Sequence, residues 1–313
     1  MSKRSLWRLS IALILSTLLL TALLNLGNPV EIAESLGSLS LSSFAYWLGL
    51  YAVLIVMRGE RLKVLLPTCR RPTLIRAIGV QGGLNRIIPF RLGEFTLPFL
   101  IQQREKVPTS VVVYSLVWIR IIEFALVMTG FIIGLVLYLQ PQFAGLTSSV
   151  IVGASCVGLW GFALIDPSQF AKRLARLPTP RMIGSPRLKN GLTSFMEGLS
   201  TVPELSLFDR IKLMTWSLVV HGCILYLYFD LMDALGVTVS IPVLLVGVAA
   251  SQLASSLPML TIGSIGLHEL GWVGGFTFGG LALDIAVTSG VLSQVITLLL
   301  GVLFVGLLYR WRS

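Results

Sequence analysis

Charge is scarce in this sequence. Asp, Glu, Lys and Arg together supply 12% of its 313 residues, where a soluble domain carries about a quarter. Cysteine is rarer still. Cys69, Cys156 and Cys223 are scattered and odd in number, which excludes a disulfide framework or a zinc spacing and leaves them as small apolar packing residues. Neither of the two histidines, His221 and His268, has a second ligand at metal-binding spacing, so no metal and no cofactor is expected. The short alternating segments of a membrane β-barrel are missing. So is a cleavable signal peptide: the first apolar run, Trp7 to Leu26, is too long for an h-region and no small-residue cleavage site follows it. It reads as a signal anchor that stays in the protein.

What is present is hydrocarbon. Hydrophobic residues make up 55% of the chain, mean hydropathy is +0.87, and several apolar runs reach the roughly 20 residues that a helix needs to cross a bilayer. The fold class is therefore an all-α polytopic membrane protein. Its net charge of +10 is distributed as topology, not as a nucleic-acid footprint. Lys3, Arg4 and Arg8 precede the first span. Arg58, Arg61, Lys63, Arg70, Arg71 and Arg76 follow the second, then come Arg104 and Lys106, the basic loop 166–212, and finally Arg310 and Arg312. The alternate connections, Gly27–Ser40, Gln140–Gly145 and Gly236–Ser240, contain no Lys or Arg. By the positive-inside rule both termini are cytoplasmic, and the membrane is a cytoplasmic (plasma) membrane. Trp7, Trp47, Tyr309 and Trp311 fit interfacial aromatic belts, and Asp230 and Asp233 fall near the outer interface, where water would solvate them.

About six full spans are expected: Trp7–Leu26, Ser43–Leu65, Thr109–Leu139, Leu146–Ile165, Leu213–Leu235 and Ile285–Tyr309. Two further stretches are too broken to span. Thr73–Gln103 begins and ends among basic residues and is interrupted by Pro89 and Gly93. Ile241–Gly280 begins and ends on the other face and is interrupted by Pro258, Gly263 and Gly266. Each reads as a re-entrant helical hairpin, the two entering from opposite faces. The chain then divides into a first repeat, 1–145, and a second, inverted one, 146–313, within a single membrane domain; the loop 166–212 holds one or two surface helices. Inverted repeats with broken helices at the midplane are a transporter plan.

The hairpin tips hold the charges that hydrocarbon does not tolerate. Gly82–Pro98 reads GGLNRIIPFRLGEFTLP and Leu257–Gly280 reads LPMLTIGSIGLHELGWVGGFTFGG. Each unpaired charge at the bilayer centre costs about 2.5–3.5 kcal/mol on insertion scales. Arg91 and Glu94 stand three residues apart, as do Arg120 and Glu123 on the next span, a spacing that puts both members of a pair on one helix face. Arg86 has no obvious local partner. The pattern Asn-Arg-x-x-Pro-x-Arg-x-Gly-Glu (Asn85–Glu94), then Arg120-x-x-Glu123, then Leu257-Pro258 with a Gly-rich turn ending in Glu269, resembles the lysylphosphatidylglycerol synthase transmembrane-region family. The chain departs from it at Ile262 and Ser264, where that family's turn has proline and glycine, and at Glu123, where aspartate is common. The resemblance implies lipid translocation. As no aminoacyltransferase segment follows Ser313 in this sequence, it does not imply lipid synthesis.

Guanidinium groups in a wet, low-dielectric cavity clamp phosphate, and helix N-termini near Pro89 and Gly266 add amide donors. Asn85, Arg86, Arg91, Glu94, Arg120, Glu123 and Glu269 are thus candidate headgroup ligands. Pro89, Gly93, Pro258, Gly263 and Gly266 are the hairpin breaks. Glu94 and Glu269 would meet a cationic headgroup or accept a proton. The competing reading is that the ion pairs only hold hairpins against helices. For the glycines at 274, 275, 279 and 280, close packing is the expectation. The function expected is a flippase or scramblase for an anionic or aminoacylated phospholipid or a polyprenyl-phosphate-linked lipid, and not an enzyme. Its expected partners are membrane lipids and a separate lipid-modifying enzyme. The alternatives are a membrane enzyme acting on lipid-linked substrates, or a non-catalytic subunit of such a system.

Overall fold

The computed structural model describes residues 29–88, 92–139, 146–163, 165–176, 186–257 and 264–310, with Thr17, Leu18, Thr21 and Asn25 besides. All regular structure among them is helical: α1 (Pro29–Ser38), α2 (Leu41–Leu65), α3 (Arg71–Ile87), α4 (Thr96–Glu105), α5 (Thr109–Leu139), α6 (Leu146–Ala163), α7 (Pro167–Ala175), α8 (Pro186–Ser200), α9 (Leu207–Ala234), α10 (Ile241–Ser256), α11 (Leu267–Phe278) and α12 (Leu283–Arg310). A four-residue 3-10 turn, Leu92–Phe95, leads into α4.

Among the described residues, four helices are long and apolar enough to cross a membrane: Leu41–Leu65, Thr109–Leu139, Leu207–Ala234 and Leu283–Leu308. The span expected at Trp7–Leu26 falls almost wholly outside the described residues. The one expected at Leu146–Ile165 is present as α6, which ends at Ala163. Gly27–Ser40, expected to be a plain connection, contains α1. The loop 166–212 holds α7 and α8, and α9 begins at Leu207, six residues earlier than the apolar pattern suggests.

Local chemistry sets these ends. Ser40 caps α2 by accepting the Ser43 N–H at 3.0 Å, and Ser206 caps α9 by accepting the Asp209 N–H at 3.1 Å, each satisfying an amide that the helix itself leaves open. Pro72 and Pro242 sit in the first turns of α3 and α10, where a missing N–H costs nothing. The helix α3 ends at Ile87, two residues before Pro89, which disfavours helical geometry in the residue preceding it.

Neither α3 with α4 nor α10 with α11 makes a continuous span. At the first break the chain folds tightly: a Cβ on Gly93 would lie 2.4 Å from Asn85 Oδ1 and 2.6 Å from Asn85 N. At the second, Ser264 (φ +64°) and Gly266 (φ +88°) turn the chain into α11. Packing pairs the pieces across the molecule: α3 lies on α12 and α10 on α5, α4 lies on α5 and α11 on α12, and α2 packs against α9. The α3–α12 contact is close enough that a Cβ on Gly83 would meet the Gly301 carbonyl oxygen at 2.4 Å. Small residues bring membrane helices together in this way. The α2–α9 pair runs antiparallel, as Trp47 meets Asp230 at one end and Met57 meets Cys223 further in.

The loop helices are part of the body. Tyr114 on α5 donates to the Pro167 carbonyl at 2.5 Å, Ala171, Leu199 and Val202 are buried, and Gly198 lies against Ser110.

Candidate functional site

Two pairs of charged residues three apart face each other across the α2–α5 gap. From α2 come Arg58 and Arg61, from α5 Arg120 and Glu123, and one turn of helix puts each pair on a single face. Glu94 joins them from the 3-10 turn. Arg61 Nη2 donates to Glu123 Oε1 at 2.6 Å. Arg120 Nη1 donates to Glu123 Oε2 at 2.9 Å, and its Nη2 donates to Glu94 Oε1 at 2.7 Å. Arg58 interacts electrostatically with Glu123 as well. The chain Arg61–Glu123–Arg120–Glu94 runs from a buried end to an open one: the Arg61 side chain is 5% exposed and that of Arg120 50%. Around the open end Phe95, Phe99, Val117 and Phe124 are exposed apolar side chains.

Arg58, Arg61, Arg120 and Glu123 line a cavity of about 170 Å³, whose wall also includes Gln81, Asn85, Ser217, His221 and Gln252. Several of its buried polar atoms have no partner: Arg58 Nε, Arg61 Nε and Nη1, Gln252 Nε2, and Asn85 Oδ1. Leaving a buried donor unmatched costs about 1–3 kcal/mol, more when it is charged. Four unmatched donors in one cavity are a pattern that an acceptor-rich, negatively charged group would match.

The site is therefore assembled differently from the sequence pattern. Of the expected ligands the structure brings Asn85, Arg120 and Glu123 to the cavity wall, and Glu94 reaches it only through its ion pair with Arg120. Arg91, Pro89, Pro258 and Gly263 lie outside the described residues. Glu94 pairs across to Arg120 on α5. Arg86 leaves the cavity and donates to Thr297 Oγ1 on α12 at 2.9 Å. Glu269 is 1% exposed and caps α11 by accepting the Gly266 N–H at 2.7 Å. It is not among the cavity's lining residues.

Two arginines that read from sequence as cytoplasmic charges, Arg58 and Arg61, instead supply most of the unmatched donors. Their i, i+3 spacing inside an otherwise apolar helix was the available signal. Trp47 is not a belt residue but fully buried, and its Nε1 donates to Asp230 Oδ2 at 2.7 Å, so Asp230 is held by protein and not merely solvated. Gly275 and Gly279 do pack closely, against Gly247 and Val243, whereas the space beside Gly274 is open and Gly280 serves a turn at φ +87°. A second polar feature went unread: Ser289, Ser293 and Thr297, four residues apart on α12, bind Trp272 Nε1, His268 Nε2 and Arg86 Nη1 at 3.0, 3.0 and 2.9 Å. The spacing Ser-x-x-x-Ser-x-x-x-Thr marks such a polar stripe on one helix face.

The family model described as Lysylphosphatidylglycerol synthase TM region matches residues 7–305. The chain belongs to that family. It is an integral membrane protein, related by that family to lipid synthesis or flipping. No curated protein and no solved structure matches it.

Proposed function

We propose that the protein is a transporter, not an enzyme, that moves a lipid with a phosphate-bearing headgroup between leaflets. The cargo is an anionic or aminoacylated phospholipid, or a polyprenyl-phosphate-linked lipid. The observation that carries this is the cluster of unmatched buried donors from Arg58, Arg61 and Gln252 in a cavity whose outer arginine, Arg120, sits among exposed apolar side chains. The phosphate occupies the guanidinium cluster. The acyl or prenyl chains remain outside, against Phe95, Phe99, Val117 and Phe124.

The chain works as two inverted repeats, 1–145 and 146–313, with both termini cytoplasmic and α3/α4 and α10/α11 as re-entrant hairpins from opposite faces. The packing supports this: exchanging α2 with α9, α3 with α10, α4 with α11 and α5 with α12 turns the contact α3–α12 into α10–α5, and α4–α5 into α11–α12. A body built this way has two equivalent arrangements, which is what moving a headgroup from face to face requires.

The test is purified protein in liposomes with headgroup-labelled lipids and a leaflet-selective quencher. Protein-dependent movement of a phospholipid or polyprenyl phosphate is expected; no movement of either overturns the proposal.

A further inference from the structure

Glu269 is the acid that the cavity does not use, and its setting is unusual. The residue is 1% exposed, and among the described residues it forms no ion pair. What holds the carboxylate is the Gly266 N–H at the N-terminus of α11. A helix N-terminus favours an anion, and so does a hydrogen bond to a charged group. Against this, burying an ion is costly. These contributions oppose one another, so a gained or lost contact shifts the balance between the ionised and the protonated carboxyl.

That contact is at hand. From α3, Arg86 interacts electrostatically with Glu269 but is held off on Thr297. From α9, Tyr228 stacks on His268 at 6.1 Å between ring centroids. His268, on α11 itself, is engaged by Ser293. The helix α10 carries no titratable side chain, and on α12 the hydroxyls are uncharged while Asp284, Tyr309 and Arg310 stand at its ends. Arg86 belongs to one broken unit and Glu269 to the other, and Arg86 and His268, the neighbour of Glu269, dock on the same stripe of α12. The turn into the second unit has positive φ angles at Ser264 and Gly266.

We propose that Glu269 is a proton-binding site that couples lipid movement, as read above, to a transmembrane proton gradient. The proton comes from water at one face and rests on the buried carboxylate while Arg86 stays on Thr297. It leaves to water at the other face when the second broken unit moves and the ionised carboxylate meets Arg86 or solvent. One proton is bound and released per cycle, and no bond other than O–H is made or broken.

Two measurements test this. Infrared titration of the purified protein should show a protonated-carboxyl band near neutral pH that is lost in Glu269→Gln and kept in Arg58→Ala. Glutamine still accepts the Gly266 N–H, and a monodisperse, cooperatively melting sample establishes that the variant is folded. A spectrum with no band sensitive to Glu269→Gln overturns the proposal. In phosphatidylglycerol–phosphatidylcholine vesicles, the rate of labelled-lipid movement with an imposed pH gradient divided by the rate without it should exceed unity, and should fall to unity in Glu269→Gln. Wild-type protein that moves lipid equally with and without the gradient overturns the coupling and leaves the lipid reading standing. Wild-type protein that moves no lipid overturns both.

Discussion

Glu123 receives two arginines at once, one on each oxygen. Replacing it by alanine strands Arg61, whose side chain is 5% exposed, and breaking a buried pair from one side costs about 3–5 kcal/mol. Glu123→Ala should therefore lower the unfolding midpoint in detergent substantially. Arg61→Met combined with Glu123→Leu should recover much of that loss, because an apolar pair leaves no charge unmatched. Arg58 is a different case, since its Nε has no partner to lose. Arg58→Ala should leave the unfolding midpoint near wild type. It should weaken binding of anionic lipid by about 10- to 100-fold, the worth of one charge-assisted hydrogen bond of about 1.5–3 kcal/mol, read by titration of lipid into the detergent-solubilised protein. The Arg120–Glu123 pair was legible because helical spacing brings the two together whatever the tertiary fold does. The Arg61–Glu123 and Arg120–Glu94 contacts were not, because they join residues on different elements. Positive-inside counting also cannot tell a basic residue that faces cytoplasm from one that turns inward at the end of a span.

Among the elements, the long apolar spans were the most legible. The helix α5 runs over Thr109–Leu139 as its hydropathy indicates, and α2 and α12 differ from expectation by two residues or fewer at the ends that moved. The short helices α1, α7 and α8 were harder to bound, because no long apolar run announces them. The first break depends on a single close approach. Alanine at Gly93 would drive a Cβ to within 2.4 Å of Asn85 Oδ1 and 2.8 Å of the Leu84 carbonyl carbon. The backbone must then shift, at a cost of about 1–3 kcal/mol for overpacking. Gly93→Ala should lower the unfolding midpoint and also displace Glu94 from Arg120, reducing lipid binding, whereas alanine at Gly274, which faces open space, should change neither.

At the scale of the whole molecule, the proposed topology makes a labelling prediction. With Cys69, Cys156 and Cys223 replaced, a cysteine introduced at the exposed Gln169 should react with a membrane-impermeant thiol reagent only from the cytoplasmic side, and one at the exposed Thr238 only from the opposite side. Labelling of both from one side contradicts the inverted arrangement. The proposed repeat is a plan, two spans, a broken unit and a span, read from hydropathy and glycine–proline breaks. The stripe Ser289, Ser293 and Thr297 that receives Trp272, His268 and Arg86 was not legible, because it has meaning only once α3 and α11 lie on the same helix.

The most direct measurement is the rate of leaflet exchange of headgroup-labelled phosphatidylglycerol in vesicles containing either wild-type protein or Arg58→Ala, inserted in equal amounts. Exchange well above protein-free vesicles for the wild type, and at least tenfold slower for Arg58→Ala at equal fold and melting temperature, is the predicted result. Equal rates for the two proteins, or a wild-type rate no greater than in protein-free vesicles, would contradict a phosphate-binding cavity at Arg58 and Arg61 as the path of the headgroup.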